Sequence, residues 1–217
     1  KQIVGRLNTQ KLSETEEREA VETMTELIEY YKGIFTILSS CASRQLEEVT
    51  FRRTVIPVQE LLDAAGKYFK KLMKNRPERI ELEIEPMEAK VIGDVNQLRF
   101  LLENLIDEAL SVPVAGKIRL TCAVEDDFVR FLFTDMRREK TREELNQLFY
   151  PNLARMTAGE KGKLCGTEYL LCKQIIRDHD EFAGRRGCRI NAEPAEKGGF
   201  SVYFTLPRYL KRIQPRR

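Results

Sequence analysis

The chain has 217 residues, 42% apolar and 33% charged, with a formal net charge of +3. This is a folded, globular composition, and so small a charge excludes a strongly basic nucleic-acid-binding chain. No apolar run approaches the roughly 20 residues that cross a bilayer, so no membrane contact by this chain itself is expected.

The first residues do not read as a signal peptide, and since residue 1 is Lys rather than Met, an anchor in an upstream part stays open. The five cysteines, Cys41, Cys122, Cys165, Cys172 and Cys188, are odd in number and lack paired metal spacing. They read as reduced, mostly buried thiols of a cytoplasmic protein. The length suits one core domain with an appendage, here divided as a helical region 1–48, a core domain 49–210 and a basic tail 211–217.

In chain order, "LSETEE" opens a long helix, with Ser13 as N-cap and Glu16 completing a capping box. Met24, Ile28, Tyr31, Phe35 and Leu38 then alternate steps of four and three, a heptad-like stripe that needs a partner. A homodimeric four-helix bundle is one solution, and packing within the chain is the other. A strand over Thr50–Ile56 and a helix after Pro57 follow, then a strand Ile80–Ile84 that alternates Ile and Leu with Glu. "AKVIGD" reads as a short strand and Val95–Ser111 as an amphipathic helix. "KIRLTCAVEDDFVRFLFTD" reads as a hairpin turning at Asp126 and Asp127. A charged segment, "MRREKTREELNQLFYPN", and a Gly-containing loop lead to a helix from about Glu168 to Asp178. Two strands, "CRINAEP" and "FSVYFTLP", close the order. Helices segregated from a mixed sheet make an α+β fold, a two-layer α/β sandwich preceded by a long helix.

Four segments, "GDVNQLRFLLENLIDEAL", "RFLFTD", "GTEYLLCKQII" and "GGFSVYFTLP", together resemble the catalytic domain of bacterial sensor histidine kinases, a branch of the gyrase, heat-shock chaperone and histidine-kinase ATPase superfamily. The heptad helix is similar to the second helix of that family's dimerisation hairpin. The resemblance implies ATP and Mg²⁺ as cofactors, a homodimer through the N-terminal helix, a response-regulator partner and no nucleic acid. It assigns no catalytic side chain here, because phosphoryl transfer relies on positioning and electrostatics and the accepting His belongs to a helix that is at best half present.

Residue by residue, the resemblance places Asn104 at the first of two metal-binding asparagines, with Glu108 one helical turn on where the second stands. Glu remains an oxygen ligand for Mg²⁺. Its charge at about 5 Å from a triphosphate costs roughly 3 kcal/mol at an effective dielectric near 20, about a hundredfold in affinity, unless a metal lies between. Asp135 matches the carboxylate that accepts the adenine amino group, but Arg137 and Glu139 replace the two glycines that follow it. In the phosphate box Leu164, Gly166 and Glu168 stand for three glycines, with Lys161 and Lys163 available to phosphates. Phe149 or Tyr150 read as hydrophobic anchors, and His179 matches a His near the end of the last helix rather than a phosphoacceptor.

Three readings follow. One is a degenerate module with weak or no ATP use that serves as a scaffold or regulatory dimer in signalling. Another is an active kinase domain with divergent boxes. In the third, Arg137, Arg138 and Arg142 recognise another anion, set against a solvated helix with Arg138 and Arg142 one turn apart among glutamates.

Overall fold

The computed structural model describes residues 18–25, 51–74, 76–149 and 167–210. Contacts divide the chain into two compact units, of which Thr50–Pro151 with Gly166–Arg217 carries the sheet. In the other unit, the described helix α1 (18–25) falls within the predicted long helix and leaves Met24 half-buried. The rest of the heptad stripe, the Ser13 capping box and the tail 211–217 lie outside the described residues.

The sheet unit runs β1 (Thr54–Pro57), α2 (Val58–Met73), β2 (Ile80–Ile84), β3 (Lys90–Gly93), α3 (Val95–Leu110), β4 (Gly116–Glu125), β5 (Phe128–Asp135), α4 (Arg142–Gln147), α5 (Thr167–Phe182), β6 (Ile190–Pro194) and β7 (Phe200–Pro207). The main sheet has the order β2-β4-β5-β7-β6, and β1 pairs with β3 in a separate ribbon. Only β2 is parallel to its neighbour, β4. The β4–β5 hairpin turns at Asp126, whose φ of 47° suits a tight hairpin turn.

Period-two alternation explains the core. Ile118 and Leu120 of β4, Val129, Phe131 and Phe133 of β5, and Phe200, Val202, Phe204 and Leu206 of β7 are all buried. Phe131 and Phe204 stack at 4.7 Å between ring centroids. The helices bury their matching stripes, Leu61, Leu62 and Phe69 of α2, Leu98, Leu101, Leu102 and Leu105 of α3, and Cys172, Ile175 and Ile176 of α5, in the same cluster. The result is the expected two-layer sandwich. Cys122, Cys172 and Cys188 are free thiols.

Three boundaries moved. The strand expected over Thr50–Ile56 is only Thr54–Pro57, its last residue a proline that serves as N-cap of α2. The last helix runs past Asp178 to Phe182. Inside the charged segment lies α4, started by a full capping box in which Thr141 Oγ1 accepts from the Glu144 N–H and the Glu144 carboxylate accepts from the Thr141 N–H. Arg137 and Arg138 therefore precede the helix, and of the three arginines only Arg142 lies on its exposed surface. A solvated helical face is not where Arg137 and Arg138 belong.

Candidate functional site

Helix α3 is fixed firmly at its start. Asp94 caps it, Oδ1 accepting from the Asn96 and Gln97 N–H groups while Oδ2 accepts from Arg52 N–H at 2.9 Å. The Asp94 N–H donates in turn to His179 Nε2 at 3.1 Å, and His179 Nδ1 donates to the Ile175 carbonyl at 2.7 Å. This pairing requires a neutral ring. Burial lowers the His179 pKa, against the opposing pull of the Ile175 carbonyl and of Asp94. His179 is fully buried and sits edge-on to Phe51 at 4.9 Å, so its work is to tie α5 to the start of α3.

From this anchor α3 presents Asn104 and Glu108 one turn apart, both 8% exposed. Asn104 Nδ2 donates to the Phe100 carbonyl at 2.8 Å, which fixes the amide plane. Asp135, at the end of β5, is 1% exposed. The structure thus brings Asp135 and Glu108, predicted from separate segments, into one cluster, with arginines between them.

Those arginines define the geometry. Arg137 Nε donates to Asp135 Oδ1 at 2.8 Å and Nη2 to Oδ2 at 2.9 Å, a two-pronged pair reinforced by the Arg137 N–H on Oδ1. Its remaining reach goes to α3 and the turn after it, Nη2 to the Ala109 carbonyl at 2.6 Å and Nη1 to the Val114 carbonyl at 3.0 Å. A cation here satisfies a last-turn carbonyl and complements the negative end of the helix. The Arg137 side chain is 1% exposed. Arg138 Nε takes Asp135 Oδ2 at 2.9 Å, and Arg138 Nη1 lies 3.8 Å from Glu108 Oε1. Two acids and two arginines, formally neutral together, form one largely buried chain, in which Arg138 Nη2 has no hydrogen-bond partner among the described residues. Burial pushes the Asp135 carboxyl up, but hydrogen bonds from Arg137 and the charge of Arg138 outweigh it and hold the group below the usual carboxylate range.

Two glycines make the approach possible. Gly116, at φ +133°, lies under Arg137, whose Cγ would be 2.9 Å from any Cβ there. Gly199, at φ +83°, lets β7 pass so close to the end of β5 that a Cβ would collide with the Asp135 carbonyl oxygen. Arg138 also lies 5.6 Å from the centre of the Phe200 ring.

The sequence reading missed Tyr169, buried on α5. Burial pushes its phenol well above the usual range, and the negative charge of Glu108 adds to this. Phe149 packs edge-on to Tyr169 at 5.8 Å, the anchor role expected of it. Lys161, Lys163, Gly166 and Tyr150 lie outside the described residues, and Glu168 falls in the first turn of α5.

The donor set divides when tested against a nucleotide and its metal. Asn104 and Glu108 supply two oxygen-bearing side chains at one-turn spacing, the number of protein ligands Mg²⁺ commonly takes alongside phosphates and water. Among the described residues no group of three or more acidic, His or Cys side chains could hold a metal without such help. The base position does not fit, because both Asp135 oxygens are engaged and the space beside them holds the Arg137 guanidinium.

The structure is thus an α/β sandwich, a mixed sheet backed by helices, in which the carboxylate of one helix is tied through Arg138 to the carboxylate at the end of a central strand. The family model for histidine kinase-, DNA gyrase B-, and HSP90-like ATPases matches residues 93–210, and the chain belongs to that family. No curated protein sequence matches the chain. Among solved structures, the nucleotide-free catalytic domain of the histidine kinase ThkA aligns with a TM-score of 0.55 at 22% identity, over 72% of this chain and 98% of that one. The histidine kinase AdeS of Acinetobacter baumannii gives 0.54 at 15% identity, over 94% of this chain and 92% of that one. ThkA in complex with the response regulator protein TrrA gives 0.62 at 20% identity, over 95% of this chain and 55% of that one. Identities this low carry the fold and not the chemistry.

Proposed function

We propose that this chain is the cytoplasmic signal-transduction module of a sensor histidine kinase that has become degenerate, with weak or no use of ATP, and acts as a scaffold or regulatory dimer. The observation that carries the reading is the closed chain Glu108, Arg138, Asp135, Arg137. Two departures from the family's pattern, Glu for Asn on α3 and Arg for Gly after β5, meet in one place with Arg138, and together with Asp135 the formal charges cancel. Random loss of a site would leave uncompensated charges. Asp135 and Arg137 instead turn their hydrogen-bonding capacity on each other and on the carbonyls beside them, which supports retention of the fold under a different use.

In this reading the helical region 1–48 forms the homodimer contact, and a response regulator is the partner, as TrrA is for ThkA. No described helix is long and apolar enough to cross a membrane. The test is calorimetric titration of the chain with Mg²⁺ and ATP. We expect no binding tighter than about 100 μM, roughly −5.5 kcal/mol. Tighter binding that Asn104→Ala abolishes defeats the proposal.

One observation favours a second reading, an active ATP-dependent kinase domain with divergent boxes: Asn104 and Glu108 still lie at metal-ligand spacing. Incubating the chain with γ-phosphate-labelled ATP and a dimerisation hairpin that carries an accepting histidine, with and without a response regulator, decides between them. Label on a histidine supports the second reading, and its absence under both conditions removes it.

A further inference from the structure

The same cluster implies more than a lost site. The buried Asp135 carboxylate, which Arg138 also contacts, the part-buried Ala109 carbonyl and the Val114 carbonyl at the exposed rim are acceptors that converge on one planar group. A set of this kind matches a flat, donor-rich group, which can meet a carboxylate and two carbonyls at once. Arg137 supplies that group from within the chain. Its fork spans all three acceptors, and Gly116 leaves room for the stem.

We infer that the base slot is self-liganded: the Arg137 guanidinium is its resident ligand, and a nucleobase amino group enters only in exchange for it. The inference rests on the proposed degenerate reading and deepens it, because it makes Arg137 the barrier to the base rather than the loss of the slot. The acceptors that would meet a planar amino or amidino group are still in place beneath the side chain. A ligand arriving from solution must therefore displace a tethered competitor that makes five hydrogen bonds, one of them from its own backbone.

The experiment compares the full chain with Arg137→Gly by thermal unfolding in methylguanidinium and by titration with adenosine. Adenosine carries no phosphate, so the charge of Glu108 does not enter the result. We expect Arg137→Gly to melt below the wild type and to recover about 3–6 °C at a methylguanidinium concentration about ten times its Kd, while the wild type is unmoved. Adenosine should bind the variant at least about tenfold more tightly than the wild type, which corresponds to about 1.4 kcal/mol. A folded variant that neither ligand affects overturns the inference and leaves the degenerate reading standing. Equal adenosine affinity in the two proteins also overturns it, even where methylguanidinium stabilises the variant. Tight binding of Mg²⁺ and ATP by the wild type defeats the degenerate reading separately.

If Arg137→Gly fails to fold, Arg137→Lys takes its place. The ammonium keeps a charge against Asp135 but cannot span the Ala109 and Val114 carbonyls. It should show the same adenosine gain to a smaller extent, and no gain overturns the inference.

Discussion

Replacing Asp135 by Ala separates a ligand-holding carboxylate from a structural one. In a protein that uses this group only to recognise a base, its loss would leave the empty protein nearly as stable as before. Here Asp135 is the shared anion of Arg137 and Arg138, and the Arg137 side chain is 1% exposed. Removing one partner of a buried pair strands a charge and costs about 3–5 kcal/mol. For a domain near 200 residues each kcal/mol moves the melting point by about 2–4 °C, so a fall of roughly 6–20 °C is expected by calorimetry. The pH dependence has a definite sign. The folded pKa of Asp135 is depressed, so its contribution is present above the unfolded value of about 3.9 and is lost as pH falls through the folded value. The wild type and Asp135→Ala should therefore converge in stability in acid and diverge toward neutral pH. The double variant Asp135→Ala with Arg137→Leu should lose less than the single one, because it removes the stranded cation as well. A loss below about 1 kcal/mol for Asp135→Ala at pH 7 refutes the network's structural role.

His179 provides a second pH test. Above about 6.5 the ring is neutral in both states; below that the unfolded chain takes up a proton that the buried ring resists, so stability falls as pH drops toward the depressed folded value. In urea titrations at pH 7.5 and 5.5, His179→Gln should be less stable at the higher pH but show a smaller drop between the two, and an unchanged drop contradicts the buried neutral ring. Gly198 and Gly199 provide a matched pair, with φ of +88° and +83°. Alanine at 198 meets only the end of the Glu139 side chain and should cost about 1 kcal/mol, whereas alanine at 199 meets the Asp135 and Met136 backbone and should cost about 3 kcal/mol. Equal losses in chemical denaturation would mean that the close approach of β7 to the end of β5 carries no weight.

The layers of the fold were legible because each strand and helix announces its period. β5 and β7 carry large apolar residues at every second position, Val129, Phe131 and Phe133 and then Phe200, Val202, Phe204 and Leu206, and α3 carries its leucines at steps of three and four, so neither needs tertiary information to be recognised. The site residues on these elements, Asn104, Glu108 and Asp135, inherit their legibility from them. The sequence reading went astray at Arg138, beside Arg137: it looks like part of a charged helix with Arg142 until the capping box is read. Thr141 with Glu144 places the helix start after both arginines, and that signal was present in the chain. What no local pattern could show is that an arginine two residues past Asp135 turns back onto it and onto the carbonyls of α3. That contact depends on the antiparallel placement of β5 beside β4, which sets Asp135 opposite Ile118 and brings the end of β5 next to Gly116.

On the proposed reading, the same placement explains how the fold would stand without a nucleotide. In this arrangement the end of β5 and the end of α3 converge on a slot lined by acceptors, and such a slot is destabilising when it is dry and empty. A protein that binds a nucleotide can leave the slot to water and ligand. One that does not must fill it, and a guanidinium is the side-chain group whose shape matches a carboxylate and two carbonyls at once. Filling the slot adds a positive charge, and Arg138 adds another. Glu108 supplies the anion that restores neutrality, on the helix face where an amide would have left the cluster charged. On the proposed reading Glu108, Arg137 and Arg138 thus act together rather than as unrelated departures. It follows that restoring Asn at 108 alone should not recover nucleotide binding, since Arg137 would still hold Asp135 and Arg138 would lose its second anion.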